Sequence, residues 1–174
     1  MQASPKDTDS ALRRAKRPRS VLAGPYGHPF HALLITIPIG SWTASVVFDI
    51  VAAFQDDPEP LRDGAALLIV VGLIGAVVAG IAGLLDLSTL APGTRARKIA
   101  LTHMSLNIAA ILLFAASLAV RLSNESADPG FAGILFTVLA VLALGASGFL
   151  GGELAYRYGV RVADEDTQRA GFGG

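Results

Sequence analysis

Four long apolar stretches constrain this chain more than any other feature of its sequence. Each is close to the ~20 residues that a helix needs to cross the hydrocarbon of a bilayer. They are continuously apolar rather than alternating, which argues against a transmembrane β-barrel. With 52% apolar residues overall, the chain is expected to be an all-α membrane protein with four transmembrane helices. The stretches run from Ala32 to Phe54, Gly64 to Leu85, Ile99 to Val120 and Phe131 to Leu154.

Basic residues flank these stretches unevenly. Twelve of the 14 Lys and Arg residues lie before the first stretch, between the second and third, or after the fourth. Because positively charged flanks stay in the cytoplasm, both termini are predicted to be cytoplasmic. The outer loops are short and contain Pro58, Pro60 and Pro129, so successive helices should be antiparallel neighbours. The predicted architecture is an up-down-up-down bundle with helices one and three on a diagonal.

The division into segments follows from the same pattern. Residues 1–26, rich in Arg, Lys, Ser and Pro, are predicted to be a disordered basic cytoplasmic arm. Residues 27–162 would form the transmembrane domain and residues 163–174 a short cytoplasmic tail. Pro38 should kink the first helix, because it frees the carbonyl of Leu34. Helices are expected over about 30–54, 64–87, 99–122 and 131–156.

Polar residues inside the spans are costly and are therefore the first candidates for function. Helical periodicity places two narrow stripes, His31, Pro38, Trp42, Ser45 and Asp49 on helix one, and His103, Asn107, Ala110, Ser117 and Arg121 on helix three. In each stripe a charged residue follows the histidine by 18 residues, or about 27 Å. We expect Asp49 and Arg121 to form an ion pair near the outer surface, while His31 and His103 approach each other near the inner one. In the alternative, each charged side chain reaches the outer interface separately.

Carboxylates join the histidines at the inner end. Helices two and four return to that side, where they carry Asp86 and Glu153. With His28, His31 and His103, these residues could bind zinc or iron, or relay protons. The HPFH spacing of His28 and His31 is weak support for a metal site on its own.

Haem is the other candidate ligand of the histidines. The chain has no cysteine, which excludes disulfides, cysteine-ligated clusters and covalently attached haem. For b-type haem, His31 and His103 would be axial ligands on opposite sides of a slot, with Trp42 and Asn107 beside the cofactor. Room for the macrocycle would come from Gly72, Gly75 and Gly83.

Other motifs are few. Gly148 and Gly152 have a GxxxG spacing, which favours helix packing within one chain over a homo-oligomer seam without excluding the latter. No hydrolase, nucleotide-binding or zinc-protease motif occurs in the sequence, so an enzyme of these classes is not indicated. The basic arm lacks interleaved aromatic residues, so nucleic-acid binding is not predicted.

Three separated motifs, GHPFHALLITIPIGSWTASVVFDI, GLLDLSTLAPGTRARKIALTH and GFLGGELAYRYGVRV, lie between Gly27 and Val162. Together they resemble a bacterial family of uncharacterised four-helix membrane proteins, domain of unknown function 2231 (DUF2231), which implies a location in the bacterial plasma membrane. Some actinobacterial relatives are similar in being joined to a Rieske iron-sulfur domain, which implies redox surroundings and, here, a separate Rieske-like partner. The motif positions in this chain are His28, His31, Trp42, Asp49, Asp86, His103, Gly151 and Gly152.

Three functional interpretations follow. The leading one is a membrane protein with a redox cofactor or metal at the cytoplasmic leaflet, most simply b-type haem between His31 and His103. The second is a cofactor-free structural or assembly subunit, in which the polar stripes only fix helix pairing. The third is a small transporter or proton-coupled channel, which the short length and the absence of a broken midplane helix disfavour.

Overall fold

Helices account for nearly all regular structure in the chain. The structure, a computed structural model, describes residues 5–24 and 28–173, and no strand occurs among them. A π-helical turn over Glu153–Arg157 extends the sixth helix. The α-helices are α1 (Pro5–Lys16), α2 (Phe30–Leu34), α3 (Thr36–Ala52), α4 (Glu59–Leu87), α5 (Arg95–Ser123), α6 (Gly130–Gly152) and α7 (Glu165–Phe172).

Four helical segments are long and apolar enough to cross a membrane. They are span 1 (Phe30–Ala52), span 2 (Glu59–Leu87), span 3 (Arg95–Ser123) and span 4 (Gly130–Arg157). Span 2 packs against spans 1 and 3, and span 4 packs against span 3. Spans 1 and 4 make far less contact with each other, so that side of the bundle is more open. The predicted all-α bundle of four membrane-spanning helices is confirmed.

Local sequence signals explain where the spans begin and bend. Span 1 is interrupted at Ile35, between α2 and α3, one turn before Pro38, which cannot donate a helical hydrogen bond. Span 2 begins five residues earlier than predicted because Pro58 and Pro60 start the helix ahead of its apolar part. Span 3 also begins earlier, since the Thr94 hydroxyl accepts a hydrogen bond from the Arg97 amide at 3.3 Å.

Large apolar side chains cover the outside of the spans. Leu67, Ile74, Leu142 and Phe149 are 62% to 75% exposed. In water such a surface would be an aggregation liability, whereas a bilayer covers it with hydrocarbon. The spans are therefore in contact with lipid.

The centre of the bundle is filled by aromatic rings. Trp42 from span 1 stacks on Phe114 from span 3, with ring centroids 4.2 Å apart and an interplanar angle of 16°. Ile69, Ala76 and Ala140 from spans 2 and 4 complete this buried cluster. The Trp42 indole N–H donates to the Ile69 carbonyl at 3.3 Å, which satisfies its polar atom inside the core.

Equivalent positions of spans 1 and 3 meet each other at three levels. From the start of spans 1 and 3 to their end, the pairs are His31 with His103, Trp42 with Phe114, and Asp49 with Arg121. The two members of each pair are 72 positions apart. An approximate two-fold axis relating the hairpin of spans 1–2 to the hairpin of spans 3–4 would bring equivalent positions into contact in this way.

The segments outside the spans also contain helices. The segment predicted to be a disordered arm contains α1, because Ala15 docks in a buried cluster with Leu90, Ala100 and Leu154. Residues 1–4 and 25–26 of that predicted arm lie outside the described residues. The predicted tail contains α7, and Lys16 pairs with Glu165 at 3.2 Å, joining the two segments. Composition pointed to disorder at the N-terminus because it does not report such tertiary contacts.

Candidate functional site

Two histidines from different hairpins meet toward one end of the bundle, the end at which span 1 begins. The His31 and His103 ring centroids are 6.3 Å apart and their planes are almost perpendicular, at 86°. His31 lies in the short helix before the interruption at Ile35, and His103 lies in the third turn of span 3. The structure therefore brings these two candidate ligands together.

Each imidazole is held by the carbonyl of the neighbouring helix in its own hairpin. His31 Nδ1 lies 2.8 Å from the Ala79 carbonyl oxygen, and His103 Nδ1 lies 2.8 Å from that of Ser147. Because a carbonyl can only accept, both rings donate through Nδ1–H, and in the neutral imidazole the lone pair is then on Nε2. In metal-binding histidines, the ring nitrogen that does not bind the metal commonly donates to a backbone carbonyl, which fixes the orientation of the ring.

Glycines allow the two rings to lie against spans 2 and 4. A Cβ atom built on Gly83 would be 3.0 Å from His31 Cε1, and one on Gly151 would be 3.2 Å from His103 Cε1. Both glycines follow the carbonyl that holds the ring by four residues, one helical turn. A Cβ atom at either position would require the neighbouring imidazole to shift by a few tenths of an ångström.

The two histidines differ in their remaining contacts. Asn107 Nδ2 donates to His103 Nε2 at 3.1 Å and to the His103 carbonyl at 3.0 Å. The Ser147 hydroxyl lies 2.9 Å from His103 Nδ1. The equivalent positions beside His31 are Ile35 and Ala79, which have no side-chain hydrogen-bonding group. His103 is therefore the more constrained ring and His31 the less constrained one.

The other residues of the predicted small-metal site do not converge on the histidine pair. Asp86 Oδ1 is 3.0 Å from Arg161 Nε, and Glu153 pairs with Arg157 at 3.1 Å. His28 is exposed and precedes span 1. Over residues 5–24 and 28–173, no three His, Asp or Glu side chains form a group that could hold a metal ion.

The glycine surfaces predicted to accommodate a macrocycle are occupied by side chains. Trp42 packs on Gly72 and Ile37 packs on Gly75, while Gly83 is covered by His31 itself. The prediction that these glycines leave room was wrong, because the missing side chains let neighbouring helices approach instead. Trp42, predicted to lie beside a cofactor, stacks on Phe114 in the middle of the core.

A buried ion pair closes the opposite end of the bundle. Arg121 Nη1 and Nη2 donate to Asp49 Oδ1 and Oδ2 at 2.9 Å and 2.5 Å. The Arg121 side chain is 0% exposed and that of Asp49 is 14% exposed. Arg62 pairs with Asp128 at 3.0 Å, and both residues line a cavity of about 100 Å³ together with Asp49. The pairing matches the one inferred from equal spacing along spans 1 and 3.

Sequence reasoning missed three residues of this arrangement. Phe114 follows His103 by eleven residues, as Trp42 follows His31, so the spacing contained a usable signal. Ser147 carries no such signal, because its role depends on the packing of span 4 against span 3. Arg161 follows the last span near Arg157, a position at which basic residues are typical of contact with lipid headgroups.

A family model described as "Predicted membrane protein (DUF2231)" matches residues 27–164. No curated protein and no solved structure matches the chain. The match covers all four spans and both histidines of the pair.

Proposed function

The chain belongs to the DUF2231 family of predicted membrane proteins, and we propose that it binds one b-type haem between His31 and His103 and takes part in electron transfer. The observation that carries this proposal is the spacing of the two imidazoles, 6.3 Å between ring centroids. When bound, haem supplies one-electron transfer, with its potential set by the axial ligands and their surroundings.

The spacing distinguishes between kinds of metal site. With metal–nitrogen bonds of about 2 Å, two imidazoles on opposite sides of one metal have ring centroids roughly 6.4 Å apart. At a tetrahedral metal the centroids would be only roughly 5.2 Å apart. The observed 6.3 Å is compatible with two imidazoles that would hold one metal from opposite sides, as in a haem, and is longer than the spacing at a tetrahedral zinc site.

The surroundings of the rings support the same proposal. Both Nδ1 atoms are held by carbonyls, which leaves Nε2 as the ligating atom of each ring. Ligation by His103 requires the Asn107 amide to release Nε2, a movement of one side chain. Spans 1 and 4 make little contact with each other, which would let a ligand enter from that side of the pair.

Orientation and partners belong to the proposal as well. The distribution of basic residues supports cytoplasmic termini in a bacterial plasma membrane, with the histidine pair toward the cytoplasmic side. A separate Rieske-like redox protein would then exchange electrons with the haem. A homo-oligomer is compatible with Gly148, which has open space where a side chain would be.

A second candidate function is a cofactor-free structural or assembly subunit. The observation that favours it is the contact set of His103, both of whose ring nitrogens already have hydrogen-bond partners in Ser147 and Asn107. In that case the imidazoles would only fix the pairing of the two hairpins. The haem content of the purified protein separates the two candidates.

The test is the haem content of the purified protein. Detergent-solubilised protein from haem-replete cells should show a Soret band and about one haem per chain by pyridine haemochrome assay. His28→Ala is the matched control and should keep the full haem content, because His28 is exposed and outside the spans. Protein that stays colourless after haem addition would overturn the proposal, and elemental analysis for zinc and iron would then test the small-metal alternative.

A further inference from the structure

Arg161 is buried under the inner end of the bundle, after the last span. Its side chain is only 5% exposed. Its backbone adopts φ +60°, a conformation that is unfavourable for a non-glycine residue. Its backbone N–H donates to the Ala15 carbonyl at 3.0 Å, so this backbone position is held by α1. The fold therefore accepts a strained conformation that directs this guanidinium inward.

The guanidinium nitrogens have different partners. Nη2 donates to the carbonyls of Ala23 and His28 at 3.1 Å and 3.0 Å. Nε faces Asp86 Oδ1 at 3.0 Å as an ion pair without hydrogen-bond geometry. Nη1 is buried and has no hydrogen-bond acceptor in the part of the chain that the structure describes. A buried cationic donor without an acceptor is costly, so Nη1 calls for an anionic or carbonyl oxygen.

The position of Arg161 relative to the histidines is defined by two of its partners. His28 precedes His31 by three residues, and Asp86 follows Gly83, which packs against the His31 ring, by three residues. Gly83 and Asp86 lie in the same helix, α4, so their separation corresponds to a rise of about 4.5 Å, whereas His28 precedes α2. The guanidinium therefore lies about one turn beyond the imidazole pair, toward the inner end.

The charges near Arg161 leave room for one anion. Arg161 is paired with Asp86, whereas Arg97 donates to the carbonyls of Leu90 and Leu87 at 2.8 Å and 3.4 Å and has no carboxylate partner among the described residues. Leu87 is adjacent to Asp86 in sequence. These three charged side chains at the inner end of span 2 carry a formal net charge of +1, which a single carboxylate would balance.

We infer that Arg161 Nη1 is the binding site for a carboxylate carried by the molecule that the histidine pair ligates, which for a porphyrin is a propionate. The inference rests on the proposed function. Arg161 then orients the ligand with its carboxylates toward the inner end and its apolar edge toward the core. Charge-assisted hydrogen bonds of this kind are among the stronger polar contacts in proteins.

Haem and its dimethyl ester test the inference without changing the protein. The ester keeps the iron and the macrocycle but cannot place a carboxylate on Nη1. In optical titrations of the haem-free protein in neutral detergent, the ester should bind wild type about tenfold or more weakly than haem. Arg161→Gln should bind haem and the ester alike, both at the weaker level. Arg157→Gln is the control and should discriminate as wild type does, because Arg157 is 65% exposed.

Equal binding of haem and ester to wild type would overturn the inference while leaving the proposed function intact. Full discrimination by Arg161→Gln would also overturn it. If neither compound gives a histidine-dependent spectrum, the proposed function fails and the inference fails with it. The titrations are repeated with anionic lipid added. If the lipid abolishes the difference between haem and ester binding to wild type, a lipid headgroup is the ligand of Arg161 and the inference is overturned.

Discussion

Replacing Asp49 with alanine should destabilise the protein by about 3–5 kcal/mol, because the substitution leaves a buried cation without its counter-ion. Arg121 is fully buried and donates to both carboxylate oxygens of Asp49. Its Nε has no hydrogen-bond acceptor in the described part of the chain, where Asp49 is the carboxylate that pairs with the guanidinium. Chemical or thermal unfolding in detergent should show the loss as a lower free energy of unfolding.

The double variant Asp49→Ala with Arg121→Leu should be more stable than Asp49→Ala alone, because it removes the uncompensated charge. Arg62→Ala is the control at the same end of the bundle. Its pair with Asp128 is partly exposed, with side-chain exposures of 27% and 43%, so this substitution should cost about 1 kcal/mol or less. Additive effects of the two substitutions at Asp49 and Arg121 would show that the pair is not coupled.

Gly72→Ala should destabilise the bundle, whereas Gly80→Ala in the same helix should not. A Cβ atom on Gly72 would lie 2.2 Å from Trp42 Nε1. Trp42 is 2% exposed and stacked on Phe114, so the indole cannot retreat without breaking the stack and its hydrogen bond to Ile69. Overpacking of this kind costs about 1–3 kcal/mol, occasionally more.

Gly80 is the matched control because nothing lies within 4 Å of a Cβ at that position. Alanine there should leave stability unchanged or raise it by up to about 1 kcal/mol, the difference in helix propensity. Both variants should be compared with wild type by the same unfolding assay in detergent. Similar behaviour of Gly72→Ala and Gly80→Ala would contradict the packing of Trp42 against span 2.

The sequence was sufficient for the four spans because hydrocarbon imposes a length and a composition that few other structures require. Span boundaries were less accurate at Glu59 and Arg95, where charged first turns extend the helices beyond their apolar parts. Helical phase placed Asp49 opposite Arg121 and His31 opposite His103, since both stripes must face the interior. The depth of each residue along its span and its angle around the helix were sufficient to predict these two pairs.

Contacts that depend on how closely the helices pack could not be read from the sequence. The Ser147 carbonyl and hydroxyl reach His103 only because Gly151 lets the ring lie against span 4. The sequence grouped Asp86 with the histidines by depth alone, whereas in the structure Asp86 forms an ion pair with Arg161. No periodicity links a residue after the last span to the end of span 2, so this partner was not predictable.

The most direct test of the central proposal is the ligation state of the bound haem in His31→Ala and His103→Ala, measured by near-infrared magnetic circular dichroism with His28→Ala as control. The proposal predicts that wild type and the control show low-spin iron with two imidazole ligands, because the rings lie 6.3 Å apart with Nε2 as the ligating atom of each. Either substitution in the pair should abolish that signature. A bis-imidazole spectrum that persists in His31→Ala or in His103→Ala would contradict the proposal.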